Sequence, residues 1–321
     1  MTQRSIKLSI LSIILLVCLA IFILNLTDGA SVANSPNSEF AFSNTQNLKP
    51  AAEAEEVTTT ATDTPNNKAT LDRESTKNGQ MIVMHRPDWK FDGNLIVQLE
   101  KLKSVAANGD NKASYILAMN LRYCFNSPTD SIALEKKLEQ AYEFSDSGRA
   151  VDNITEKYEY CSGIEQKQRN QFYSYLKAAA NNGYVAAQEV FGRITPEFFM
   201  ESQGYEDLER EEYIVMRDNF IEQKIGFLEQ AAQNGSITAL VRLSRMNRSQ
   251  KLGDNGYVKS FAFNQLILEL TQNNEIYNRY SWLQQKQYSQ LTSDDIDNAF
   301  SMSEQWLEII KANGTLYLNG D

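Results

Sequence analysis

The sequence predicts an all-α fold: an α-solenoid of helical hairpins with an atypical C-terminal helical cap, preceded by one transmembrane helix and a disordered tether. Three observations lead to this prediction. A short pattern of Leu, Ala and Asn-Gly recurs three times, the first residues form a long apolar run, and a polar stretch separates the two. No segment with the two-residue period of a strand is long enough to predict a sheet.

The recurring pattern is Leu-x3-Ala-x-Asn-Gly-x3-Ala-x3-(Leu/Phe). Leu and the first Ala are four residues apart and share one face of a helix, which Asn-Gly ends because Gly accepts the left-handed conformation after the cap. The second Ala and Leu/Phe mark the inward face of a second helix. Each copy is therefore predicted to be a helical hairpin that buries its apolar face only by stacking on its neighbours. The defining residues are Leu102, Ala106, Gly109, Ala113 and Leu117 in the first copy, Leu176, Ala180, Gly183, Ala187 and Phe191 in the second, and Leu228, Ala232, Gly235, Ala239 and Leu243 in the third.

These segments resemble Sel1-like repeats, which are relatives of the tetratricopeptide repeats. Family units open with a helix that ends in Ala-Ala-x-x-Gly, and an Ala-x-x-x-Leu-Gly helix follows. The stretches 179–183 and 231–235 match the first motif and 105–109 is a looser copy, whereas Ala118 and Ser244 stand where the second copy has Gly192. The resemblance covers about residues 94–270, implies an α-solenoid that contacts other proteins, and is typical of bacterial proteins.

The copies are unevenly spaced along the chain. The separation of Gly109 and Gly183 leaves room for two units, so a degenerate unit is predicted between Cys124 and Cys161. The shorter separation of Gly183 and Gly235 fits one unit with an insertion. The predicted domains are a signal anchor at 1–26, a polar tether at 27–90, the repeat region at 91–275 and the helical cap at 276–321.

Further helices are predicted by periodicity. The apolar periodicity of residues 205–234 predicts one long helix, and that of residues 257–270 predicts a second helix. In the cap, Thr292 to Asp295 offer an N-terminal helix cap for a stretch that ends at Asn313-Gly314. Its inward face is predicted to carry Ile296, Phe300, Trp306 and Ile310.

The N-terminal apolar run extends from Leu8 to Leu26 and follows Arg4 and Lys7. At a rise of about 1.5 Å per residue it matches the hydrocarbon thickness of a bilayer, and the flanking cations keep the N-terminus cytoplasmic. We therefore expect a single-pass inner-membrane protein with its body in the periplasm. A cleaved signal peptide, with a site near Ala33, is the alternative, and the body is then exported without an anchor.

The predicted tether is rich in Ser, Thr, Asn, Ala and acidic residues, and its sparse apolar residues cannot offset the chain entropy lost on folding. One short apolar patch, Met81 to Met84, interrupts its end. Two interpretations remain open for this patch: it packs onto the folded body, or it is a handle for a partner.

Cys124 and Cys161 are the only cysteines outside the apolar run. In an exported protein such a pair predicts a disulfide. Here the disulfide would link the two ends of the segment in which the repeat pattern is weakest. Two buried free thiols are the alternative.

Composition excludes several functions. The net charge of −10 and the lack of a Lys/Arg run argue against a nucleic-acid partner. His85 is the single histidine and precedes the helices, so histidine-dependent nucleophiles and zinc sites are not expected in the body. No catalytic residue, metal site or cofactor is predicted. The acidic run around Glu206 to Glu212 is interpreted as an exposed helix face, and the tyrosines near the second repeat as core or as interface residues.

We therefore expect a membrane-tethered scaffold that binds an unidentified protein of the cell envelope, and not an enzyme. The alternative is an envelope enzyme, or an accessory subunit of one, that uses two converging carboxylates on a concave face. A structural spacer, or an immunity-type protein dedicated to one partner, is a third hypothesis.

Overall fold

The computed structural model describes residues 81–144, 147–249 and 255–318, and this part of the chain is all-α apart from two very short strands. The predicted transmembrane helix and most of the predicted tether lie outside the described residues. Within the described ranges, no helix has both the length and the apolar character needed to cross a bilayer. The elements are β1 (Ile82–Val83), α1 (Ile96–Ala107), α2 (Asn111–Cys124), α3 (Ser131–Phe144), α4 (Ser147–Cys161), α5 (Gln166–Arg169), α6 (Phe172–Asn181), α7 (Val185–Phe191), α8 (Pro196–Gln203), α9 (Arg210–Gln233), α10 (Ile237–Arg248), α11 (Gly256–Leu270), α12 (Asn274–Tyr288), α13 (Ser293–Asn313) and β2 (Thr315–Leu316).

The three copies of the pattern form three hairpins of packed helices, α1 with α2, α6 with α7, and α9 with α10. The bend is the same in each copy. The first helix ends at an Asn, and the following Gly109, Gly183 and Gly235 have φ of +88°, +78° and +78°. These are the left-handed values that the Asn-Gly pair predicts.

The pattern residues are the inward face of each hairpin. The second alanine and the Leu/Phe position are at most 6% exposed in all three copies. Leu176 and Leu228 are also buried, but Leu102 is only partly so, because α1 is the first helix of the described part and Leu99 fills the core there instead.

The segment between the cysteines differs from its prediction. It is not a stacked unit, because α2 packs directly on α6, and α3 and α4 pack mainly on each other. None of the described side chains of α3 is buried. The segment is therefore a helical hairpin inserted between two helices that pack directly on each other, and the degenerate repeat unit predicted there is not observed.

A disulfide closes the base of this inserted hairpin, as predicted. Cys124 and Cys161 are bonded, and their Cα atoms are 5.5 Å apart. Arg169, only 1% exposed, reinforces the closure because its Nη1 donates to the Ser127 carbonyl at 2.6 Å and its Nε to the Ile164 carbonyl at 2.9 Å. The two ends of the inserted hairpin therefore lie next to each other.

The insertion expected between the second and third copies is the short helix α8. Gly204, with φ of +72°, ends α8, and a turn follows before α9 begins at Arg210. The predicted continuous helix over 205–234 is therefore about one turn too long at its start, because the chain leaves α8 through the left-handed Gly204 and Tyr205 and Leu208 pack on the core from the turn.

The C-terminal helices α12 and α13 both pack on α11. Thr292 caps α13 as predicted: its hydroxyl accepts the Asp295 N–H, and the Asp295 carboxylate accepts the Thr292 N–H. Trp306 and Ile310 are buried, whereas Phe300 is 41% exposed, so the predicted inward face holds only for the second half of the helix.

Residues 81–90, predicted to belong to the disordered tether, are ordered. β1 pairs in parallel with β2, with Ile82 opposite Thr315 and Val83 opposite Leu316. The packed interpretation of the apolar patch is the one observed, because Met81 packs against a core cluster formed largely by α9 to α13. The tether prediction was wrong here since two backbone hydrogen bonds and distant side chains hold the segment, and neither is visible in local composition.

Candidate binding face on the second helices

An extended segment, residues 81–91, lies across the second helices of the three hairpins; we call it the strap. Its first residues are fixed to the C-terminal end of the chain, since the Ile82 N–H donates to the Gly314 carbonyl and the Met84 N–H to the Leu316 carbonyl, both at 2.8 Å. Beyond Met84 the strap makes no regular secondary structure. Side chains of the helices then hold it.

Arg86 is the central contact of the strap. Its Nε and Nη2 lie 2.5 and 2.6 Å from the two carboxylate oxygens of Glu189 on α7, a bidentate pair. Nη2 also lies 3.4 Å from the Thr238 hydroxyl on α10, and Nη1 donates to the Leu318 carbonyl at 2.5 Å. One side chain therefore connects the second and third hairpins with the C-terminal segment.

Glu189 is an unusual residue for its position. It lies in the middle of α7, whose side chains are all buried, and is itself 2% exposed. Arg86 and the Ser236 hydroxyl both donate to its carboxylate. Burial opposes the charge of Arg86, but the hydrogen bond and the charge of Glu189 outweigh it and raise the pKa of the guanidinium. The charge of Glu189 is thereby neutralised within the protein.

The end of the strap contacts the first hairpin. The side-chain amide of Asn120 on α2 donates to the Trp89 carbonyl at 2.6 Å, and the Trp89 ring lies 5.6 Å from that of Tyr123. The Phe91 N–H donates to the Tyr160 hydroxyl at 3.2 Å. The strap thus passes α10, α7 and α2 in turn, from the third hairpin to the first, and each second helix contributes a side chain to it.

Four further arginines lie on these second helices or in the turn after α7. Arg193 follows Gly192, the C-cap of α7, and Arg242 on α10 lies one turn beyond Thr238. Arg122 is in the last turn of α2 with its guanidinium 6.0 Å from the centre of the Phe198 ring, and Arg245 is in the last turn of α10. Arg193 and Arg245 are exposed, and the other two are half-buried.

The charges of these arginines act on one another. Burial lowers the pKa of Arg122, and the charge of Arg193 lowers it further. Burial likewise lowers the pKa of Arg242, with added repulsion from Arg193 and Arg245. Across residues 81–144, 147–249 and 255–318, none of the four forms an ion pair. Each of the four is therefore a cation without an acidic ion-pair partner among these described residues.

The other residues considered from sequence do not converge on a reactive centre. The run from Glu206 to Glu212 is exposed apart from a half-buried Leu208, in agreement with the solvated interpretation. His85 is exposed on the strap. In the part of the chain that the structure describes, no three His, Cys, Asp or Glu side chains are grouped as metal ligands.

Sequence analysis missed the residues that hold the strap. Arg86 lies in a stretch that composition assigned to the tether, and Asn120 and Glu189 are polar residues at buried positions of α2 and α7. That last feature was the available signal, since a charged residue on a buried face needs a partner. Comparison of the chain with protein-family models, curated proteins and solved structures finds no match.

Proposed function

We propose that the chain is a non-catalytic scaffold of the cell envelope, a Sel1-like α-solenoid anchored by its N-terminal apolar run, whose second helices bind an extended segment of a partner protein. The proposal combines the anchor and polar spacer predicted from sequence with three similar hairpins whose second helices each contact the strap.

The observation that carries the proposal is the strap. Asn120, Glu189 and Thr238 come from three different second helices, and all three contact the same extended segment. Side chains that recognise an extended backbone at the spacing of the hairpins are what a repeat scaffold uses to bind a partner. Here the chain's own strap occupies part of that surface.

Site-specific photo-crosslinking in intact cells tests the proposal. A photoreactive amino acid at Asp88, exposed on the strap, reports on the second-helix face. The matched control is the same amino acid at Val97, which is 75% exposed on α1, a first helix. We expect a discrete protein adduct from position 88 and none from position 97. Adducts of equal yield from both positions, or from position 97 alone, would contradict a binding face on the second helices.

The buried carboxylate of Glu189 on the candidate face is held in an ion pair by Arg86. The scaffold proposal therefore assigns this residue to holding the strap.

A further inference from the structure

We propose that the start of α9 and the turn before it form a second interaction surface, an apolar groove that binds a basic amphipathic segment of a partner protein. This groove belongs to a first helix of the hairpins, whereas the proposed function concerns the second helices. The inference therefore goes beyond that function and does not depend on it.

Apolar side chains line the groove on two sides, and its volume is about 410 Å³. Tyr205 and Leu208 come from the turn that follows α8. Val215 and Met216 come from the second turn of α9. All but Val215 pack on the hydrophobic core, and the Tyr205 ring lies 5.8 Å from the ring of the buried Phe199. The core therefore fixes the floor of the groove before any partner binds.

The groove is open to solvent. Val215 is 56% exposed. Glu211 and Glu212, which lie one helical turn before Val215 and Met216 on the same side of α9, also line the groove and are exposed. A small-molecule site encloses most of its ligand. An open apolar surface bordered by charge instead fits one face of a polypeptide segment, whose other face stays in water.

The border of the groove is strongly acidic. Residues 205–212 contain five carboxylates and one cation, Arg210, so this short stretch has a net charge of −4. The five are Glu206, Asp207, Glu209, Glu211 and Glu212. Within residues 81–144, 147–249 and 255–318, none of them forms an ion pair. The helix dipole accounts for acidic residues in the first turn of α9, but Glu206 and Asp207 precede the helix.

The partner segment should therefore combine apolar side chains with lysine or arginine. Its apolar side chains would cover Val215 and Met216, and its cations would face the carboxylates at the border. A membrane surface is a poorer match, because the same carboxylates repel anionic headgroups. The net charge of −10 on the whole chain adds to the attraction for a cationic segment.

Fluorescence anisotropy with the full chain in phosphatidylcholine nanodiscs tests the inference. The net-neutral lipid does not attract the probe by charge, and empty nanodiscs give the background. The probe is a labelled peptide with four repeats of Leu-Lys-Lys-Leu, measured at low and at physiological salt. Two comparison peptides replace every lysine by glutamate or every leucine by serine.

One pair of variants tests the acidic border. Glu211→Gln with Glu212→Gln removes two charges from the groove. The matched control is Glu135→Gln with Glu139→Gln, which removes two carboxylates from α3 and changes the net charge equally. All four side chains are exposed, so we expect the fold to be retained, and circular dichroism checks this.

A second pair of variants tests the apolar floor. Val215→Lys replaces an apolar contact by a cation within the groove. The matched control is Val97→Lys on α1, since Val97 is 75% exposed and the chemical change is identical.

We expect the lysine peptide to bind in a salt-dependent manner. Both test variants should weaken binding at least about fivefold, and both controls should stay within about twofold. No binding above the background of empty nanodiscs, or equal losses in the test and control variants, overturns the inference. Binding of either comparison peptide as tightly as the lysine peptide also overturns it, because the groove would then select by charge alone or by apolar contact alone.

Discussion

Substitution of Gly235 by Ala tests the packing of the repeat bends, with Gly183→Ala as the matched control. Both glycines have φ of +78° and both follow an Asn at the end of a first helix. Their surroundings differ. A Cβ at Gly235 would lie 2.2 Å from the Thr315 carbonyl oxygen and 3.1 Å from the Leu316 Cα, whereas a Cβ at Gly183 would meet nothing within 4 Å.

The expected losses follow from these contacts. The left-handed conformation costs an alanine about 1–2 kcal/mol at either position. At Gly235, relief of the clash also requires β2 to move away. That motion endangers the hydrogen bond from the Tyr317 N–H to the Gly235 carbonyl and the one from the Ile237 N–H to the Tyr317 carbonyl. At about 0.5–1.5 kcal/mol for each bond, the added loss is about 1–3 kcal/mol.

Urea unfolding followed by circular dichroism measures the difference between the two variants. We expect the free energy of unfolding to fall by about 1–2 kcal/mol for Gly183→Ala and by about 2–5 kcal/mol for Gly235→Ala. Hydrogen exchange gives a second readout, because displacement of β2 should speed exchange of the Ile82 and Met84 amides only in the Gly235 variant. Equal losses in the two variants, with these amides still protected, would refute the packing argument.

Three further predictions concern the ion pair, the disulfide and a helix cap. Arg86→Met leaves the buried Glu189 without its cation and should lower the free energy of unfolding by about 3–5 kcal/mol. Adding Glu189→Gln should recover much of this loss. No recovery in the double variant would contradict the explanation by an unpaired buried charge. Replacing Cys124 and Cys161 by serine should cost about 3–4 kcal/mol in urea unfolding, and a loss under 1 kcal/mol would contradict the loop-closure argument. Hydrogen bonds from the Thr292 side chain and backbone lower the pKa of Asp295 from 3.8, so its contribution is present above that pH and is lost as pH falls through the lower folded value. Acid unfolding of Asp295→Asn should lack this component, and an unchanged pH profile would contradict it.

The hairpins were predictable because their signals are local. The Asn-Gly bends and the alanines four residues beyond each glycine depend only on neighbouring residues, and they recur with the same geometry in the three copies. The cap of α13 is similarly a contact over three residues, between Thr292 and Asp295. A sequence pattern contains all the information that such features need.

The candidate face was not predictable in the same way because its contacts join distant parts of the chain. Arg86 and Glu189 are 103 residues apart, and Trp89 and Asn120 are 31 apart. Of the four arginines near the second helices, one comes from α2, two come from α10, and Arg193 comes from the turn after α7. No local composition distinguishes such residues from ordinary surface cations, so only the fold reveals them.

A peptide bond in the hairpin between Cys124 and Cys161 could be hydrolysed without separating the two resulting fragments. Its α3 side chains are accessible to a protease, and hydrolysis of a peptide bond within it would leave two polypeptides joined through sulfur. Such a nicked protein would migrate as one species without a reducing agent and as two with it. Another domain could be inserted in this hairpin for the same reason, because the two ends of the insertion would lie next to each other.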